Sequence, residues 1–173
     1  MNLLLSPHHD DETLFAAYTL LRHRPHVVVC FDGGPRYGMP KVRKAETAAA
    51  MGILGCTWEP LYGQGDLAGA LKRFDPVRVF APLPESRGNF EHNLAGTVAA
   101  DLWPDRVTYY TTYTPEGRTT LGEPVLVEDG WEALKRQALD CYRSQIAHPG
   151  TRPHFFRPLD EYLVAADALR VAA

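Results

Sequence analysis

Cysteine is scarce, and its placement is as telling as its number. Cys30, Cys56 and Cys141 are far apart and make no Cys-x-x-Cys pair. A disulfide framework is therefore not expected, and reduced thiols in a cytoplasm are the reading. Long apolar runs are missing too. None approaches the roughly 20 residues that a membrane span needs. The run Leu3-Leu4-Leu5 is too short for a signal peptide and leads straight into charge. There is no Lys/Arg block: 18 basic side chains face 21 acidic ones, for a net charge of −3, which makes nucleic acid a poor partner. Internal repeats, low-complexity tracts and linkers are absent. What remains is one globular α/β-sized domain, residues 1–173, with 45% hydrophobic and 23% charged residues.

Short apolar runs alternate with amphipathic ones. Strands are predicted at Asn2–Ser6 and over residues 26–31, 57–62, 77–81 and 106–111, with an edge strand over 123–127. Helices are predicted over 11–22, 42–54, 67–74, 92–102 and 131–143, and residues 160–171 form a short element of unassigned type. Val27-Val28-Val29 is continuous and apolar, as in a parallel strand buried on both faces. The alternation implies an open, mostly parallel α/β sheet, whose ligands bind beyond the carboxyl ends of the strands. That rule gathers His8, Asp10, Asp11, Asp32, Arg36, Tyr62, Glu91, His92, Tyr110 and Tyr113 on one edge.

The densest chemistry is Ser6-Pro7-His8-His9-Asp10-Asp11-Glu12, directly after the first strand. Two imidazoles and three carboxylates so close to a core are costly unless they bind something. His8 and Asp11, three apart at a strand-to-helix turn, suit a divalent cation, and His92 is the best-placed third ligand. Asp10 stays free as a general base toward a water that the metal acidifies. His9 competes as a ligand, but one of the two neighbouring histidines must face away. Glu12 favours the helix N-terminus or orients a ligand. The plainer reading is that Asp10 or Asp11 caps the helix.

Other features carry less. His148 and His154 read as ordinary surface or core residues, and Gly63-Gln64-Gly65 as a turn. Arg43 and Glu46, three apart, read as an ion pair on one helix face. Among Tyr109, Tyr110 and Tyr113, one facing the cleft could donate a hydroxyl. Arg36 and Arg87 could bind an anionic group.

Pro7-His8-His9-Asp10-Asp11-Glu12 resembles the Pro-His-Pro-Asp-Asp-Glu signature of the LmbE-like, or PIG-L-type, zinc-dependent N-deacetylases. Phe31-Asp32-Gly33-Gly34 sits where that family has a Thr-x-Gly turn. Arg43-x-x-Glu46 with Ala49 matches its Arg-x-x-Glu-x-x-x-Ala helix, followed by Leu54-Gly55. Lys135, Ala138-Leu139 and Tyr142-x-Ser144-Gln145 match a late helix, so the resemblance runs from residue 3 to residue 145. It implies a Rossmann-like three-layer sandwich with the active site at the carboxyl ends of the strands. It also implies His8, Asp11 and His92 as ligands of Zn²⁺ or another divalent transition metal, and Asp10 as catalytic base. The family's His-x-Asp-His motif is here Asn89-Phe90-Glu91-His92. Glu91 would orient a ligand, and Asn89 replaces a histidine that supports charge near the substrate. His9 replaces the usual Pro, and the chain is shorter than typical members.

The expected reaction is removal of an N-acyl group, N-acetyl foremost, from a sugar or sugar-like amine. Asp32, Arg36, Arg43, Asn89 and Tyr110 are the candidate substrate or oxyanion contacts, and Glu12 and Glu91 brace the site. The partner is a small N-acylated amine or glycoside, without nucleic acid or a membrane span; a homo-oligomer is left open. The alternative is a metal- or ligand-binding module on the same fold that has lost turnover.

Overall fold

The computed structural model describes residues 1–34, 39–61, 65–114, 117–118 and 121–167. Arg36, Tyr62 and the Gly63-Gln64 pair lie outside them. In chain order the elements are β1 (Asn2–Ser6), α1 (Asp11–His23), β2 (His26–Val29), α2 (Pro40–Leu54), β3 (Trp58–Pro60), α3 (Leu67–Leu71), β4 (Arg78–Pro82), α4 (Phe90–Leu102) and β5 (Val107–Tyr110). Then come a small hairpin of β6 (Tyr113–Thr114) and β7 (Gly117–Arg118), followed by β8 (Glu123–Pro124), α5 (Trp131–Leu139) and α6 (Arg143–Ala147). A 3-10 turn (Arg152–Phe156) and β9 (Tyr162–Ala165) follow.

Seven strands form one sheet in the order β3-β2-β1-β4-β5-β9-β8. Strands β1 to β5 pair in parallel, while β9 pairs antiparallel with β5 and β8. Because side chains alternate across a strand, β1 sends Leu4 to one face and Leu3 and Leu5 to the other. Leu4, Val27, Phe80 and Tyr110 pack under α1, α2 and α5. Leu3, Leu5, Val28, Val79, Ala81 and Val107 pack under α3 and α4. Helices thus cover both faces, the three-layer arrangement that continuous apolar strands require.

Two expectations change. The helix read over residues 131–143 is two helices, because Tyr142 turns inward between α5 and α6, fully buried, with its hydroxyl on the Glu12 carboxylate. Residues 160–171 contain a strand, β9, inserted between β5 and β8. A short apolar run at the end of a chain carries no local sign of which strand it will join.

The strand order reverses between β1 and β4. Chain leaving β1 turns to one side and chain leaving β4 to the other, so a crevice opens beyond their carboxyl ends. Both loops that carry the predicted ligands border it.

Candidate metal centre and its cleft

The turn after β1 is held from below. The Ser6 hydroxyl donates to Glu12 (2.7 Å), and Glu12 also accepts the Asp10 amide (3.2 Å) and the Tyr142 hydroxyl. Glu12 is fully buried, and that burial raises its pKa against the hydrogen bonds from Tyr142 and Ser6. The Asp10 carbonyl accepts the Thr13 and Leu14 amides and so starts α1. Its side chain, however, makes no capping hydrogen bond. Asp10 has φ 126°, a strained conformation for a residue with a side chain. The capping reading fails for this carboxylate, which the backbone turns away from the helix.

Asp11 turns the other way. Its Oδ2 accepts the His8 amide at 2.9 Å and lies 3.0 Å from His8 Nδ1 and 3.1 Å from His92 Nε2. His92 arrives on the first turn of α4. Its side chain is 9% exposed and that of Asp11 7%. The three residues each offer a ligand atom, all within 4.8 Å of one another. In a tetrahedral site with bonds of about 2.0–2.1 Å, ligand atoms sit roughly 3.3–3.4 Å apart. The two distances from Asp11 Oδ2, 3.0 and 3.1 Å, are close to that spacing.

Electrostatics agrees. Burial opposes charge on His8, but the hydrogen bonds it donates to Asp11 and Glu91 outweigh it and push its pKa up to about 10. Burial also opposes charge on Asp11, yet His92 and His8 hold it below the usual carboxylate range. Positive charge is what this spot stabilises. Glu91 Oε2 lies 2.6 Å from His8 Nε2, leaving Nδ1 for the centre. A carboxylate on the far nitrogen is the usual support of a metal-binding histidine. The donor set of two imidazoles and one carboxylate fits Zn²⁺ or a similar ion.

His9 is the histidine that faces away. It is fully buried against Trp58 and hydrogen-bonded to the Thr47 hydroxyl at 2.7 Å. Arg43 and Glu46 do not pair. Arg43, 2% exposed, donates to the His9 carbonyl (2.6 Å) and the Asp32 carbonyl (2.9 Å), and its Nη2 lies 3.4 Å from Asp10 Oδ1. Glu46 instead accepts the Ser144 amide and hydroxyl, each at 2.7 Å, tying α2 to α6. Spacing placed both on one helix; only the packing around it sent them apart.

A cleft of about 310 Å³ opens over the cluster, with His8, Asp10, Asp11, Arg43 and His92 in its wall. Asn89 also borders it, but its side-chain oxygen caps α4 by accepting the Glu91 amide (2.8 Å). Two proposed substrate contacts are engaged elsewhere among the described residues. Tyr110 is fully buried and donates its hydroxyl to the Leu5 carbonyl at 2.7 Å. Asp32 closes a turn by accepting the Gly34 amide at 2.8 Å. Neither borders the cleft.

Two contributors were not legible as such. Gly33, at φ 75°, leaves space that a Cβ would deny: it would stand 2.5 Å from Arg43 Nη1 and 3.5 Å from the His8 ring. His154 also borders the cleft. The positive-φ turn was signalled by Asp-Gly-Gly, but nothing local tied His154 to the site.

No protein-family model and no curated protein matches the sequence. Solved structures do match. A conserved protein from Thermus thermophilus superposes with a TM-score of 0.73 at 24% identity, covering 95% of this chain and 93% of its own. A deacetylase triple mutant from the teicoplanin biosynthetic pathway gives 0.68 at 18% identity, covering 95% and 97%. The 4-carboxy-2-hydroxymuconate hydratase of Pseudomonas putida gives 0.63 at 16%, covering 94% of each chain. These likenesses establish the fold, one that hosts more than one chemistry, so function must be argued from the site.

Proposed function

We propose that the chain is a member of the LmbE-like, PIG-L-type N-deacetylases: a metal-dependent hydrolase that removes an N-acyl group, N-acetyl foremost, from a sugar or sugar-like amine. The ordered motifs between residues 3 and 145 support this, as does the fold shared with a deacetylase. The observation that carries it is Asp10: a buried carboxylate in the cleft wall, excused from capping and next to a His-Asp-His cluster.

His8, Asp11 and His92 would hold Zn²⁺ or another divalent transition metal. Bound there, the ion supplies Lewis acidity, drawing the pKa of a water toward about 7 and polarising an acyl carbonyl. Asp10 takes the proton of the attacking water as its oxygen bonds to the acyl carbon. Burial and the Asp11 charge raise the Asp10 pKa while Arg43 lowers it. Arg43 also keeps Asp10 from folding onto the ligands. When the C–N bond breaks, protonated Asp10 returns its proton to the leaving nitrogen, giving a carboxylic acid and a free amine, and Asp10 is a carboxylate again. Glu91 orients His8, and Glu12 fixes the turn.

The second reading is a module that binds a metal or ligand without turnover. Asn89 favours it, since its oxygen is committed to capping α4 and an amide cannot carry positive charge. Zinc content and acetate release from a panel of N-acetylated amino sugars separate the two. Asp10→Asn should keep near-normal zinc and lose about 10²–10⁴-fold in rate. Asp11→Asn should lose zinc, having traded an anionic oxygen for a neutral one. Full metal loading of wild type with no release from any amide would instead select the binding module.

A further inference from the structure

Asn89 leaves the cleft without the cation that the family's motif would place there, and the far wall offers another imidazole. The 3-10 turn that carries His154 is anchored by Phe155, which is buried and packs on Tyr142 with ring centroids 6.1 Å apart. His154 lies flat on Tyr113, at 4.5 Å and 20°. Tyr113 meets Phe15 edge-on at 4.7 Å, and Phe15 meets His92 edge-on at 6.3 Å. A continuous row of rings thus runs from the candidate metal ligand to His154, and all four border the cleft. The Tyr113 hydroxyl donates to the His154 carbonyl at 3.3 Å, so the backbone is fixed along with the ring. The Arg157 guanidinium stands over Tyr113 at 4.2 Å and braces the same stack.

We propose that His154 is a catalytic residue of this site, donating a hydrogen bond from Nε2–H to the oxygen that becomes negative as the acyl carbon turns tetrahedral. The inference rests on the hydrolase reading. The proton's position follows from desolvation. Nδ1 is buried and has no hydrogen-bond partner. A shut-away N–H without an acceptor is costlier than a shut-away lone pair, so the proton belongs on Nε2. No carboxylate among the described residues holds the ring, leaving the donor for a ligand. Burial and then Arg157 also lower the pKa of His154, which favours the neutral donor form. A donor fixed in place before reaction, on a partly desolvated wall, is the kind that stabilises a developing oxyanion. Asn89, which borders the same cleft, is exposed and its oxygen caps α4.

The test uses zinc-loaded protein and methylphosphonate, a tetrahedral anion, titrated by calorimetry. His154→Phe keeps a ring on Tyr113 without a donor, and His154→Gln keeps a donor without the ring. His154→Phe should retain zinc and bind methylphosphonate at least about 10-fold more weakly, with His154→Gln recovering part of the loss. On an N-acetyl substrate that wild type turns over, His154→Phe should lower kcat by about 10²–10³-fold with KM little changed. Equal methylphosphonate affinity in wild type and His154→Phe overturns the role, as does failure of zinc-loaded wild type to bind the anion. A wild type that takes up no metal overturns the hydrolase reading and this inference with it, and metal content shows that separately.

Discussion

Asp10 and Asp11 are the same side chain at adjacent positions, and the backbone gives them different environments. The positive φ at Asp10 sends its carboxylate toward Arg43, while Asp11, in the first turn of α1, folds back on His8 and His92. The two histidines before them divide in the same way. His8 gathers negative neighbours; His9 is buried beside Thr47, with burial and then Arg43 driving its pKa down to about 3. His9 is therefore neutral when folded and titrates near 6.5 when unfolded. A depressed pKa means the folded state resists protonation. The contribution to stability is complete above pH 6.5 and is lost as pH falls from there toward 3, by up to about 1.4 kcal/mol per unit. Urea midpoints between pH 4 and 7 should fall less steeply for His9→Asn than for wild type. Parallel curves for the two proteins would contradict this account.

At the scale of elements, α1 is the informative case. Its backbone leaves helical geometry at Ala16, so a second set of amide groups needs acceptors midway along a buried helix. Glu161, which precedes β9, supplies them by accepting Tyr18 N at 3.0 Å and Thr19 N at 3.3 Å. Lys135 on α5 neutralises it at 2.7 Å, with both side chains fully buried, and also donates to the Leu159 carbonyl. The kink matters to the cleft because Phe15, one residue earlier, belongs to its aromatic wall. Lys135→Met strands a buried carboxylate and should cost about 3–5 kcal/mol. Adding Glu161→Gln should recover much of that loss, since the amide oxygen still accepts from α1. Denaturant unfolding reads both, and an unchanged midpoint for Lys135→Met would refute the capping role.

For the whole molecule, the sheet order is what builds the site. Placing β1 beside β4 brings the loop with His8 and Asp11 against the start of α4 with His92, about 80 residues later. An ion held by both loops binds the folded state alone, so it should stabilise the fold. At 1,000 times its Kd the gain is about 4 kcal/mol, a Tm rise of order 10 °C for a chain of this size. A chelator should reverse the rise. His92→Ala should abolish it, and His148→Ala should keep it. Equal zinc-induced shifts in the two variants would remove His92 from the centre.

The alternation of short apolar strands with amphipathic helices determined the α/β class, because periodicity and burial on both sheet faces are local properties. The metal-type cluster was equally legible, since His8, Asp10 and Asp11 lie within four positions and His92 follows a strand whose end must face the same edge. The chain order proposed Asp10 as the free carboxylate and His8 as the ligand histidine, but not what holds each pair apart. That separation depends on a single backbone φ and on Arg43, Thr47 and Glu91 from elsewhere. The divergence of Arg43 from Glu46, the burial of Tyr110, the insertion of β9 and the arrival of His154 at the cleft were likewise decided by tertiary packing. Each depends on contacts between segments remote in sequence, and no periodicity or spacing encodes them.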